Sequence, residues 1–156
     1  MSRTAKIETE VDVTGPAVRD FPRREIGAFV RRCLARLTTA KSVLKPVQEV
    51  SIAFVDDEAM RTLNRAYRGK NKTTDVLTFP GIDIDSDDVA DHSLGEIVIS
   101  LTQARRQARE ERHALATEVR YLILHGLIHA LGYDHESDAG EMNALETRIR
   151  ARVGLE

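Results

Sequence analysis

Three histidines, His125, His129 and His135 in HGLIHALGYDH, constrain this chain more than any other feature, because their rings can meet only if a helix ends between the second and the third. On a helix turning about 100° per residue, positions 125 and 129 lie roughly 40° apart on one face, one turn from each other. A helix continued to residue 135 would carry the third ring roughly 120° around and about 9 Å along the axis. Gly132 stands where the chain must turn, since a glycine just past a helix end adopts the left-handed conformation that other residues avoid. Neutral imidazole is a common metal ligand, and three of them on one zinc leave a fourth position open to water. A structural zinc is normally closed by a fourth ligand, usually cysteine, yet the single cysteine, Cys33, belongs to a different predicted helix. A satisfied core role suits one isolated histidine better than three in this pattern. The expectation is one zinc ion, with nickel, copper or cobalt acceptable to the same ligands.

At 156 residues the chain has the size of one domain, residues 1–156, and needs neither disulfide nor metal to build a core. With one cysteine, no membrane-length apolar run and an N-terminal MSRTAKIETEVDV that lacks the apolar stretch of a signal peptide, a cytoplasmic protein with no membrane role is expected. A formal net charge of -2 argues against coating nucleic acid by bulk electrostatics, but leaves room for a local basic surface.

Along the chain, strands and helices alternate without internal repeat or long linker, which predicts a single α+β domain: a small four-stranded mixed sheet packed with about five helices. Alternating residues predict strands over 6–13 and 48–55, with further strands at 75–79 and 95–100. Ile26, Phe29, Val30, Cys33, Leu34 and Leu37 predict a core-facing helix from Phe21 to Thr38, with Asp20 as N-cap. Asp56 or Asp57 caps a helix reaching Tyr67. Ser100 and Gln103 form a capping-box pattern opening a charged helix, expected on the outside, from Leu101 to about Arg112. The next helix, Leu115 to Leu131, contains YLILHGLIHAL, apolar almost all round, and so is central and buried, with the zinc-like site at its C-terminal end. A last helix from Ser137 to Val153 turns Met142, Leu145 and Ile149 inward.

The histidine segment, LNRAYRGKNKTTDVLTFP from Leu63 to Pro80, LGEIVIS from Leu94 to Ser100 and DAGEMNALETRI occur in the order found in one family. The chain resembles the YbeY family of bacterial rRNA maturation endoribonucleases. The resemblance implies a metal-dependent ribonuclease that prefers single strands and acts on rRNA of the small ribosomal subunit, at the 16S rRNA 3′ end, and in ribosome quality control. It also implies zinc on His125, His129 and His135, and a role in activity for the arginine of the YR pair, Arg68.

The residues around Arg68 agree. Arg61, Arg65, Arg68, Lys70 and Lys72 fall in a stretch with no acidic residue, crossing from a helix end into a glycine-containing loop. A guanidinium matches the oxygens of a phosphate, so Arg68 suits clamping the scissile group and stabilising charge that develops on it. The other four are candidate RNA-binding residues, for which a solvated helix face is the competing account. Asp134 suits either orienting a histidine, acting on the metal's water or stabilising the turn. The attacking oxygen, from water or a ribose 2′-OH, stays open.

The spacing H-x3-H-x2-G-x2-H also occurs in metzincin proteases, but their catalytic glutamate follows the first histidine, where this chain has Gly126. A metallopeptidase, or a ribosome-associated RNA-binding factor with a structural metal, are the alternatives. Asp83, Asp85, Asp87, Asp88 and Asp91 lack EF-hand spacing and read as a solvated loop. Asp75 is expected to support the loop that carries Arg68. His92 and His113 receive no role.

Overall fold

The computed structural model describes residues 9–41, 49–81, 93–131 and 140–155. Strand β1 (Glu10–Thr14) is followed by helix α1 (Arg23–Lys41) and strand β2 (Glu49–Val55). Then come α2 (Asp57–Arg68), β3 (Val76–Pro80) and β4 (Ser93–Ser100), and finally α3 (Leu101–Glu111), α4 (Leu115–Ala130) and α5 (Glu141–Arg152). Among the described residues the strands form one four-stranded sheet in the order β1-β2-β4-β3. The pairs β1–β2 and β2–β4 are parallel, and β3 runs antiparallel to β4 at the edge. This is the mixed sheet and five-helix α+β domain that the sequence predicts.

Alternation along the strands decides what each face of the sheet carries. Val50, Ile52 and Phe54 of β2, with Ile97 and Ile99 of β4, enter the main core, while Ala53, Val55, Val98, Leu77 and Phe79 point to the other side. The first face is covered by α1 and α4, with α5 packed against both. The second face is covered by α2, whose Met60 and Leu63 lie on Leu77, Val98 and Phe79. Each fully buried aliphatic residue here contributes about 1.5–3 kcal/mol relative to exposure. Ile97, Ile123, Leu124 and Leu127 are buried completely, so the contact between α4 and the sheet is a large part of what holds the fold.

Helix α4 approaches the sheet this closely because of one glycine. A Cβ on Gly126 would stand 2.7 Å from Cγ2 of Ile97, inside van der Waals contact. The carbonyl of Gly126 also accepts from Thr78 Oγ1 on β3 at 3.4 Å.

Helix starts differ from expectation in instructive ways. The Pro22 carbonyl, not Asp20, accepts the first bond of α1, from Ile26 N–H at 3.0 Å. Asp20 has φ 61° in the turn beside the Val18–Phe21 bridge, away from the extended conformation in which an aspartate caps a helix. Ser100 does cap α3 by accepting from Gln103 N–H at 3.2 Å, but the Gln103 amide bonds Asp57 instead of returning to Ser100. Helix α3 is not fully outside: Leu101, Ala104 and Ala108 are buried beneath its charged face. The predicted start of the first strand at residues 6–8, and of the last helix at Ser137, lie outside the described residues, as does the Met142 side chain.

Candidate metal centre and the basic face beside it

His125 and His129 project from one face of the last two turns of α4, half-buried, with ring centroids 4.6 Å apart at 74°. Their Nε2 atoms lie 3.1 Å apart. Two nitrogens bound at the usual zinc distance in tetrahedral geometry stand about 3.3 Å apart, so this pair is already within a few tenths of an ångström of a shared ion. The donor set fits a divalent transition metal. Helix α4 stops at Ala130, with Leu131 N–H bonded back to the Leu127 carbonyl, one residue before the predicted turn. Gly132, Asp134 and His135 lie outside the described residues, as do His92 and the aspartates at 83, 85, 87, 88 and 91. Among the described residues no cluster of three metal-ligating side chains forms.

The sequence reading missed Glu146. Helix α5 delivers its carboxylate, buried, to the side of His125 away from the Nε2 pair: Oε2 stands 3.5 Å from His125 Nδ1. Its other oxygen, Oε1, accepts from Arg150 Nη2 at 3.2 Å, and the Arg150 guanidinium lies over the Tyr121 ring with Cζ 4.6 Å from the centroid. Burial alone would raise the pKa of this carboxyl; hydrogen bonding and charge from His125 and Arg150 outweigh it, and the group is held below its usual value. A carboxylate on Nδ1 fixes the ring's orientation and favours the tautomer whose lone pair is at Nε2. One signal in the sequence could have found it. Glu146 lies at i−3 and i−7 from Ile149 and Val153, on the buried stripe of an otherwise polar helix.

Arg68 ends α2, exposed, and among the described residues it makes no hydrogen bond or ion pair. Arg61, Arg65, Lys70 and Lys72 are exposed as well, and no carboxylate among the described residues pairs with any of them. The helix stops here because Gly69 takes the left-handed conformation, φ 67°, with its N–H on the Arg65 carbonyl and Lys70 N–H on that of Asn64.

The loop that follows is anchored at several points. Asn64 Nδ2 donates to the Lys72 carbonyl at 2.8 Å. Thr73 donates to Asp57, which also accepts from Ser100 Oγ at 2.8 Å and from Gln103 Nε2, with Arg106 at 3.8 Å. Partial burial pushes the Asp57 pKa up, but the Ser100, Gln103 and Thr73 hydrogen bonds and the Arg106 charge prevail and hold it low. Asp75 supports the loop as expected: its carbonyl accepts from Ser100 N–H at 2.9 Å and its carboxylate from Gln107 at 3.2 Å.

Arg68 and the histidine pair do not touch. They belong to helices on opposite faces of the sheet, and the two helices reach adjacent residues of edge strand β3: Tyr67 packs its ring on Phe79 at 4.6 Å, and Gly126 bonds Thr78. The cationic helix end and the imidazole pair therefore flank one short edge of the sheet.

Three further positions singled out in the sequence are placed by the structure. Cys33 is buried in α1, where burial pushes its thiol up to about 12, so it is not reactive. His113, unassigned from sequence, pairs with the buried Glu118 at 2.9 Å beside Tyr121. Position 126, where a metzincin has its glutamate, faces Ile97 and the sheet, so no side chain there would reach substrate.

Residues 16–154 match the family model for endoribonuclease YbeY. The chain belongs to the endoribonuclease YbeY family. It is 41% identical over 145 residues to endoribonuclease YbeY of Moorella thermoacetica, covering 87% of this chain and 92% of that one. It is 42% identical over 132 residues to the Myxococcus xanthus protein of the same name, covering 80% of this chain but spanning only 45% of that longer protein. The solution structure of TM1509 from Thermotoga maritima has the same fold, with a TM-score of 0.55 at 24% identity, covering 92% of this chain and 88% of that one. The enzymatic expectation from sequence, an endoribonuclease, agrees with the name that both curated relatives carry.

Proposed function

We propose that this chain is a metal-dependent endoribonuclease that cuts single-stranded RNA in the cytoplasm, matures the 3′ end of 16S rRNA in the small ribosomal subunit and serves ribosome quality control. The observation that carries the chemistry is the convergence of His125 Nε2 and His129 Nε2 at 3.1 Å, with a buried carboxylate holding the far side of one ring. His125, His129 and His135 would hold the ion, for which zinc suits three imidazoles. When bound, the ion supplies Lewis-acid polarisation of water and phosphate at neutral pH.

The chain's own residues do the rest. Glu146 keeps the proton of His125 at Nδ1, so that Nε2 presents its lone pair. Arg68 binds a non-bridging phosphate oxygen with its guanidinium, which is unpaired among the described residues, and its charge counts for more as negative charge grows on the phosphate. Arg61, Arg65, Lys70 and Lys72 hold the flanking phosphates and set the strand's path. Asp134, next to His135 in the sequence, serves that ligand or the water. If the 2′-OH attacks, products end in 2′,3′-cyclic phosphate; if water attacks, they do not, and DNA cut equally well would exclude the 2′-OH route.

The deciding experiment measures cleavage of a single-stranded rRNA fragment and bound metal for native protein, Arg68→Ala and His129→Ala. Cleavage lost in both, with metal lost only in the histidine variant, is the expected pattern. Activity indifferent to both changes identifies a contaminating nuclease and overturns the proposal.

A further inference from the structure

Among the described residues the large hydrophobic side chains are placed as a folded domain requires, with one exception. Tyr67 is 68% exposed, the large hydrophobic residue left on the surface among the described residues. It is not a loose surface ring. Its edge-to-face contact with Phe79, 4.6 Å between centroids at 64°, braces it against β3, and Phe79 is itself held in the second core and paired opposite Glu96. A braced aromatic loses little freedom when a second flat group lies on it. Its neighbours narrow what that group is. Arg65, Arg68 and Lys70 surround it in sequence, all exposed and none ion-paired among the described residues, within a stretch that contains no acidic residue. A ligand that suits this surface carries repeated negative charge and flat apolar faces together. Unpaired nucleotides have both; a duplex hides its base faces, and an acidic peptide has none.

We propose that Tyr67 is a stacking platform for an unpaired RNA base, adjoining the phosphate that Arg68 binds, so that the strand crosses the free edge of β3 toward the histidines. This rests on the endoribonuclease reading and adds the origin of single-strand preference: stacking is available only to a base outside a helix.

The test uses the full chain with three substitutions at an exposed position, each checked for unchanged thermal unfolding. Replacing Tyr67 by Ala is expected to raise KM for a single-stranded oligoribonucleotide about 5- to 150-fold. kcat should change little, and Tyr67→Phe should stay near the native value. The slope of log KM against log salt should be native in Tyr67→Ala, because no phosphate contact is lost, and should fall by about one in Lys70→Ala. The native chain contains no tryptophan, so Tyr67→Trp installs a single reporter. Its fluorescence should be quenched in the binding phase after rapid mixing with single-stranded RNA, and unaffected by duplex RNA or polyglutamate. A native KM in Tyr67→Ala overturns the platform, and so does a changed salt slope, which would make Tyr67 only a prop for the cations. Quenching by polyglutamate overturns it in favour of a protein partner. Native protein that neither binds nor cuts single-stranded RNA overturns the endoribonuclease reading and the platform with it; native cutting with no Tyr67 effect overturns the platform alone.

Discussion

Glu146 reaches across from α5 to place Oε2 3.5 Å from Nδ1 of His125, while Arg150 donates to its other oxygen. Removing a carboxylate behind a metal-bound imidazole typically costs 10- to 100-fold in metal affinity. Glu146→Gln keeps the shape and loses the charge. It should retain the fold and release zinc to a competing chelator at roughly 10- to 100-fold lower free chelator than the native protein. Equal zinc retention in the two proteins would show that the carboxylate does no more than pair with Arg150.

Gly126 is required by its distance to Ile97 more than by any backbone conformation. Replacing a helical glycine by alanine gains about 1 kcal/mol of helix propensity, against about 1–3 kcal/mol for forcing a methyl into a packed core, so Gly126→Ala should fall between neutral and modestly destabilised. Valine removes the ambiguity. Its propensity gain is smaller and its two methyls enter a space where a single Cβ already stands 2.7 Å from a fully buried isoleucine. Gly126→Val should lower stability by at least about 2 kcal/mol in urea unfolding. A native midpoint would mean that α4 slides off the sheet at little cost, and that the placement of the histidines is less fixed than the packing implies.

The exposed Arg68 side chain makes no hydrogen bond or ion pair among the described residues, so its removal should be silent in thermal unfolding and conspicuous in catalysis. Losing one charge-stabilising donor lowers turnover by about 10²–10³-fold. Arg68→Lys keeps the charge without the fork of donors and should recover only part of that. Single-turnover rates with saturating RNA measure both; an Arg68→Ala rate within a factor of about two of native would remove Arg68 from the catalytic role.

What could be read from the chain depended on whether the signal was local. Helix α4 was legible because apolar residues nearly all round its surface demand burial, and its end because a glycine follows Leu131. Ser100 was legible as a cap because capping involves neighbours three residues apart. Asp20 misled, since aspartate also favours the left-handed turn conformation it adopts here. Helix α3 seemed external because its buried face is mostly alanine, a weak hydrophobic signal. The strand order β1-β2-β4-β3 could not be read, because it is set by pairings distant in sequence. Glu146 is missed from sequence, and Asp57 is read there only as an alternative cap to Asp56, which is the residue that caps α2, for the same reason: their partners lie on other elements, His125 on α4 for one and Ser100 and Gln103 at the start of α3 for the other.

Asp57 gives the last prediction its pH dependence. Its carboxyl gathers donors from Thr73, Ser100 and Gln103 and ties the loop after Arg68 to the start of α3. Its pKa in the folded protein lies below the ordinary value of 3.8. A depressed carboxyl stabilises the fold at every pH above the unfolded-state value, and that contribution is lost as pH falls through the folded-state value. Because the group is partly exposed, hydrogen bonds to its charge are worth about 1–2 kcal/mol in total, after discounting for solvent. Asp57→Asn should therefore be less stable than native protein by about that much at neutral pH, with the gap beginning to close as pH falls below the ordinary value of 3.8 and lost once pH is beneath the depressed folded-state value. Urea unfolding across that range measures it. A gap that stays constant into acid would show that the side chain acts through its shape and neutral hydrogen bonds, and that its charge does not hold the loop.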